Sequence, residues 1–469
     1  MVHADLLCAG SRLRSMHHLP DMDSKGTLAA FDVRTAVGWL VPRALRHFIL
    51  ITAILGVLSQ AWIRIGLGGD RPLRSDGYTY YVYVPSWLIF HDTTLDSVAR
   101  DCCGGTFDPS TGIVRWPETG RFVNRHPIGV AVQMLPFLVV ADALTRWSNL
   151  PRDGFSIYYQ QAAALAGLAY LLAGLAILRG VLLRRSSPGI VLATLVVVTF
   201  GTNLFHYGTF EPTFSHAFSF CLVAALVSLT ERWWEAPRWK TSLALGFVLG
   251  LLILTRHPNA IFAAFFPLYG VTSWQTLRAN AAQLWARRVQ LSAMIAVTAA
   301  MLAPQFAIYH AATGHWMVNS YGEHGFTFWS PHLLGVLFGT EKGLFFWSPA
   351  LLFAVAGIIV ARGWYRMILV PTLFVIGVDT YLIASWWDWQ FGDSYGHRAF
   401  TDALSLAAVF IAAFFEWAAR RPRLAPDVAI AALLATALSV VQMIQFWFGL
   451  IPPANTTWDQ YRELFLRWH

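Results

Sequence analysis

Charge is scarce in this chain: 13% of its 469 residues are Asp, Glu, Lys or Arg, against 56% hydrophobic. That balance excludes a soluble globular protein, where about 25% charged residues are usual. Cysteine is scarce as well, with only Cys8, Cys102, Cys103 and Cys221. None falls in a zinc-binding spacing, and direct neighbours such as Cys102 and Cys103 are poorly placed to bridge, so neither a metal site nor a disulfide framework is expected. Alternating apolar segments of about ten residues are absent, which excludes a membrane β-barrel. Residues 1–45 lack a cleavable signal pattern and read as a short cytoplasmic tail.

What the chain does have is a succession of Leu-, Ala-, Val- and Ile-rich blocks, each of the order of the ~20 residues that cross a bilayer as a helix. The fold class is therefore an all-α polytopic membrane protein. About eleven transmembrane helices are expected, near 46–65, 157–178, 189–206, 212–230, 241–255, 258–273, 290–312, 346–361, 367–385, 401–418 and 427–450. Together they make a transmembrane domain over 46–450, with a short extracytoplasmic tail over 451–469. The formal charge is +8, but the basic residues gather in short loops: Arg179, Arg184 and Arg185; Arg232, Arg238 and Lys240; Arg278, Arg287 and Arg288; Arg362 and Arg366; Arg420, Arg421 and Arg423. The positive-inside rule accounts for them and puts that side in the cytoplasm, so nucleic acid is not an expected partner. The same count requires 127–141 to lie in or dip into the outer interface without crossing. A large first outer loop, 66–156, then carries interfacial helices.

A local repeat, Phe328-Trp329-Ser330-Pro331 and Phe346-Trp347-Ser348-Pro349, reads as two helix starts with Ser at the N-cap and Pro at the first helical position. Trp386, Trp387 and Trp389 are first of all interfacial belt residues, with sugar stacking a secondary role.

The outer face is where charge runs against the positive-inside trend. Asp76, in Ser75-Asp76-Gly77-Tyr78, follows the first span. A carboxylate there either takes a proton from an acceptor hydroxyl or caps the helix starting at Gly77 or Tyr78, and the sequence leaves both open. Arg125, Arg256, Lys342 and Arg398, with His126, His257 and His397 beside three of them, fall at outer ends of spans or re-entrant helices. Such groups hold an anionic phosphate, or else contact lipid headgroups. Glu211, Glu323, Asp388 and Asp393 share that face as counter-ions or ligands for hydroxyls. His216 reads as a core histidine satisfied by a neighbouring helix.

Five segments in this order carry a resemblance: Ser75-Asp76-Gly77-Tyr78; Asn124-Arg125-His126-Pro127-Ile128-Gly129; Arg256-His257-Pro258-Asn259; Phe338-Gly339-Thr340-Glu341-Lys342-Gly343; and Trp386-Trp387 leading to Gly392-Asp393-Ser394-Tyr395-Gly396-His397-Arg398. Over nearly its whole length the chain resembles the GT-C integral-membrane glycosyltransferases, the superfamily of the protein O-mannosyltransferases and lipid A aminoarabinose transferases, and within it a bacterial branch. The resemblance implies a polyprenyl-phosphate sugar donor, a glycan, lipid or protein acceptor, and an extracytoplasmic site at the inner (plasma) membrane under the first loop. It also implies a catalytic Asp, carried onto Asp76, and donor-phosphate ligands Arg256, Lys342 and Arg398. Tyr78, Arg125, His126, His257, Glu211, Glu323, Asp393 and His397 are further candidates for substrate contact. Many members follow the catalytic acid with a second one; here Gly77 follows. No cofactor is expected, and a divalent cation is not required for a monophosphate-linked donor. The expected reaction is an inverting transfer with Asp76 as general base. A lipid-linked glycan transporter or flippase, and a polymerase or ligase using a pyrophosphate-linked donor, are the alternative readings.

Overall fold

The computed structural model describes residues 33–66, 72–108, 111–319, 321, 324–465 and 467. Within these the chain is a helical membrane protein. Six helices are long and apolar enough to cross a bilayer: Val41–Ile63, Gly129–Trp147, Ile157–Leu183, Arg288–Thr313, Arg398–Ala419 and Ala425–Trp447. Shorter apolar helices, Pro188–Phe200, Trp239–Thr255, Pro349–Val360 and Leu369–Ser385, pack among them, and Ser215–Glu235 runs through the centre of the bundle with most of its residues buried. Apolar side chains on every face of such a central helix are what full burial demands.

Several boundaries differ from expectation. The first span, Val41–Ile63, starts a few residues before the expected 46. The expected span 258–273 is a 3-10 stretch, His257–Ala264, running into a single α-turn, Phe265–Leu268. Pro258 stops Trp239–Thr255 from running on as one α-helix, and Pro267 removes a backbone donor inside the segment that follows. The segment is fastened instead by side chains: Asn259 Nδ2 donates to Ser219 Oγ (2.9 Å) near one end, and Trp234 Nε1 donates to the Phe266 carbonyl (2.9 Å) near the other. In the repeat, Ser348 does stand at the N-cap before Pro349. The first copy starts later, with His332 at the N-cap of Leu333–Phe338.

Gly129–Trp147 is one continuous helix. Its start is pressed against the end of Trp239–Thr255, where Gln133 Nε2 donates to Thr255 Oγ1 (2.8 Å). Its last turns meet the start of Ile157–Leu183, where Tyr159 donates to Asp142 Oδ1 (2.6 Å).

The first loop holds short helices, Ser75–Tyr81, Tyr83–Leu88 and Asp96–Cys103. It also holds a two-stranded hairpin not anticipated from the sequence, β1 (Ile113–Arg115) antiparallel to β2 (Phe122–Asn124), with Val114 opposite Val123. A satellite core of Tyr80, Tyr81, Tyr83, Val98, Met134 and Leu138 binds these elements to Gly129–Trp147. The loop is thus a packed cap and not a floppy connection. Cys102 and Cys103 are bonded to each other, correcting the expectation that neighbours would stay unbridged. They end their helix where Gly104 and Gly105 take positive φ (64° and 92°), a turn that glycine makes at little cost.

Candidate functional site

Asp76 lies in the first turn of Ser75–Tyr81, and Arg74, in extended conformation, is the N-cap residue. Its carboxylate is turned to an ion pair: Oδ2 meets Arg398 Nη2 at 3.0 Å. The helix is set by its neighbours. Thr79 Oγ1 is 2.7 Å from His126 Nδ1, Asn124 Nδ2 donates to the Thr79 carbonyl (2.7 Å), and Asn124 Oδ1 accepts from the His126 N–H (2.9 Å). Asn124-Arg125-His126 is therefore a splice between hairpin and helix that presents Arg125 and His126 beside Asp76. Gly77 is explained by proximity. A Cβ there would sit 2.0 Å from Thr213 Oγ1, so this position has no room for a second acid beside Asp76.

Facing Asp76 is a second charged group. Arg256, at the C-cap of Trp239–Thr255, donates from Nη1 to Asp402 Oδ2 at 2.7 Å, while Asp402 Oδ1 is 2.9 Å from His216 Nδ1. A cation suits a helix C-terminus, where carbonyl dipoles concentrate negative potential. Arg398 opens the 3-10 turn Arg398–Ala403, which also carries Asp402, so one turn supplies the partner of Asp76 and the partner of Arg256.

Asp76, Arg125, His126, His216, Arg256 and Arg398 line one cavity of about 570 Å³, mouth included, closed by Tyr80, Tyr321, Trp386, Trp387, Asp388 and Phe391. Burial alone would raise the Asp76 carboxyl, but Arg398, then His126, Arg125 and His216, hold it down to about 2. Burial, chiefly, takes the His126 imidazole down to about 4, so it is neutral at physiological pH. Three guanidinium groups thus meet the carboxylates of Asp76 and Asp388 in one cavity, with Asp402 behind Arg256.

Of the residues singled out in the sequence, Asp76, Arg125, His126, His216, Arg256, Trp386, Trp387, Asp388 and Arg398 converge here. Lys342 does not. It is 1% exposed, and its Nζ donates to the carbonyls of Ser394 and Pro453, so its expected role as a phosphate ligand is corrected to a clamp between two loops. Burial is the main cause that brings its ammonium down to about 8. Glu211 is buried against His206 (3.2 Å) and Arg74 (3.7 Å), a counter-ion away from the cavity, and these partners outweigh burial to keep its carboxyl below the ordinary range. His397 is buried between Phe391 and Phe400, where burial takes it down to about 3. His257 is exposed beside the Tyr309 ring, and Asp393 is exposed; neither lines the cavity. Tyr78 faces another cavity, its hydroxyl 3.3 Å from Cys102 Sγ. Glu323 lies outside the described residues.

One participant escaped the sequence reading, and another was read only as a core histidine. His216 is satisfied, as expected of a core histidine, yet it also lines the cavity. Asp402 was not singled out. Its signal was available: an acid inside an apolar span is functional by default. Among the described residues no cluster of three or more His, Cys, Asp or Glu is arranged to hold a metal ion. Compared with models of known families, with curated proteins and with solved structures, the chain has no match.

Proposed function

We propose that this protein is a membrane glycosyltransferase that moves a sugar from a polyprenyl-phosphate donor to an acceptor hydroxyl on the extracytoplasmic face of the inner membrane, as a GT-C-type enzyme of about eleven spans. The observation that carries the reading is the Asp76–Arg398 pair at the edge of a cavity that also presents Arg125 and Arg256. A phosphate monoester needs cations, and an acceptor hydroxyl needs a base; the two stand side by side. In this reading Gly129–Trp147 lies along the outer interface, because its two ends touch the outer ends of two different spans.

The donor phosphate sits among Arg125, Arg256 and Arg398. The acceptor oxygen attacks the anomeric carbon from the opposite face, its proton passes to Asp76, and the bond from the anomeric carbon to the phosphate oxygen breaks with inversion. Polyprenyl phosphate leaves with the electron pair, its growing charge met by the guanidinium groups. Such stabilisation is worth ~10²–10³ in rate per donor removed. A carboxyl held near 2 is a weak base. The incoming phosphate competes for Arg398 and returns basicity to Asp76.

The test is Asp76→Asn in purified protein supplied with a panel of polyprenyl-phosphate sugars. Transfer should fall by ~10²–10⁴ with donor binding retained; transfer at the original rate would sink the assignment. One observation favours a second reading, a lipid-linked glycan transporter: Asp379 and Asp402 are acids buried within helices of the bundle, as in proton relays. Movement of a lipid-linked glycan across proteoliposomes without sugar transfer would establish it. A pyrophosphate-linked donor used in preference to the monophosphate would instead indicate a polymerase or ligase.

A further inference from the structure

A proton taken up by Asp76 does not stay there: burial favours it, but Arg398 foremost holds the carboxyl down to about 2. The same cavity offers a better acceptor. His216 lines it together with Asp76, from the first turn of Ser215–Glu235. Its Nδ1 is 2.9 Å from Asp402 Oδ1. An ionised carboxylate can only accept, so Nδ1 carries the hydrogen and Nε2 the lone pair. Nε2 has no hydrogen-bond partner among the described residues, although the side chain is only 3% exposed. A histidine that serves packing alone spends both nitrogens inside the bundle, as His206 does: Nδ1 accepts from Trp447 Nε1 (2.9 Å) and Nε2 meets Glu211 (3.2 Å). One nitrogen pinned by a buried carboxylate and the other left to a polar cavity is the arrangement of a general base. Asp402 Oδ2 also accepts from Arg256 Nη1 at 2.7 Å. Arg398, Asp76 and Asp379 are the further charged groups facing the pair, and the Tyr207 ring lies 4.8 Å from the imidazole.

We propose that His216 is the terminal proton acceptor of the transfer, receiving from Asp76 the proton of the acceptor hydroxyl, and that Asp402 is the positioning residue that sets its tautomer. This role rests on the transferase reading and extends it by one step. The acceptor O–H bond breaks as its oxygen bonds to the anomeric carbon, and the bond from that carbon to the phosphate oxygen breaks with its electron pair going to the phosphate. The proton crosses from Asp76 to His216 Nε2. Asp76 is ionised again, and the imidazolium keeps its Nδ1–H on Asp402 until it gives the proton to water as polyprenyl phosphate departs. The donor readies this path. A phosphate on Arg256 draws the guanidinium from Asp402, whose full charge then faces the imidazolium.

The experiment uses the full chain in lipid nanodiscs with the panel of polyprenyl-phosphate sugars. Release of polyprenyl phosphate is the readout, so that transfer to water counts where no other acceptor is present. His216→Gln keeps an N–H for Asp402 but has no basic nitrogen. Its kcat should fall by ~10²–10⁴, with donor KM and the unfolding midpoint unchanged. His216→Gly opens space for a small base, and added imidazoles should restore turnover in the order of their basicity, which a packing role does not predict. Asp402→Asn offers its own N–H to Nδ1 and so favours the wrong tautomer; kcat should fall without weaker donor binding, and imidazole should not restore it. Should a variant at position 216 fail to fold, the wild type decides. Its single turnovers in mixtures of H₂O and D₂O should show two protons in flight, one from acceptor to Asp76 and one from Asp76 to His216. One proton or none would overturn the relay, as would rescue that is absent or indifferent to basicity. A wild type that releases no polyprenyl phosphate from any donor would overturn the transferase reading and the relay with it, whereas turnover that His216→Gln retains in full overturns the relay alone.

Discussion

Replacing Gly77 by Ala tests whether the site depends on how closely the Asp76 helix approaches the turn beside it. The added Cβ would stand 2.0 Å from Thr213 Oγ1 and 2.9 Å from Thr213 Cβ, where ordinary contact begins near 3.4 Å. Thr213 cannot swing away freely, because its hydroxyl donates to the Pro72 carbonyl at 2.9 Å. The helix must therefore lift off the turn, at an overpacking cost of ~1–3 kcal/mol. The same lift separates Asp76 from Arg398, now at 3.0 Å, and a misplacement of ~1 Å costs up to ~10²-fold in rate. Thr213→Ala removes the 2.0 Å contact and leaves the 2.9 Å one; Thr213→Gly removes both. A double-mutant cycle should thus show a coupling of ~1–2 kcal/mol in thermal stability, with transfer activity restored more by Gly than by Ala at 213. Additive effects, or a Gly77→Ala protein with full activity and unchanged stability, would refute the packing argument.

Other expectations follow from the same geometry. Asp402→Asn removes the charge that neutralises Arg256, so donor binding should hold or tighten while kcat falls ~10²-fold through misplacement of Arg256 and His216; weakened binding with unchanged kcat would contradict this. Lys342 has a folded value of about 8 against 10.5 when free. The unfolded chain therefore binds the extra proton between those values, and stability rises with pH from about 8 to about 10.5, by roughly 3 kcal/mol at most. Unfolding midpoints of the wild type and Lys342→Met, compared across that window, should diverge; parallel profiles would remove the buried-clamp explanation. Because Asp76 and His126 are held to about 2 and about 4, neither titrates near neutrality. The acid limb of kcat/KM should lie below about pH 5, and a limb near pH 6 to 7 that disappears in His126→Gln would show that His126 is not buried as described.

What the sequence made legible was the arginines. Arg125, Arg256 and Arg398 stood against the positive-inside trend, and a cation that defies that trend without a headgroup to serve needs an anion to meet. Lys342 carried the same signal for another reason. A long side chain on the outer face finds backbone carbonyls as readily as a ligand, and no pattern in Gly339-Thr340-Glu341-Lys342-Gly343 separates the two. The stretch 258–273 misled because apolar composition measures transfer into lipid and says little about helix type; Pro258 and Pro267 decided that. Asp402 and His216 were hidden by their apolar surroundings, since their pairing joins residues far apart in the chain. The all-α bundle was plain because span-length apolar runs need only composition, whereas the β1–β2 hairpin is too short to set up an alternating pattern.

The Gly339–Gly343 turn fastens more than Lys342. Thr340 Oγ1 donates to the Thr456 carbonyl (3.1 Å), the Asn455 N–H donates to Glu341 Oε1 (3.1 Å), and Lys342 joins Pro453 to Ser394. Residues 453–456 thus buckle down the loop that leads into Arg398. They leave the ribosome after every helix that bears a cavity residue has been made. The loop before Arg398 therefore receives its fastening last, and a chain still being inserted carries the charged residues of the cavity before it has the means to hold them in register.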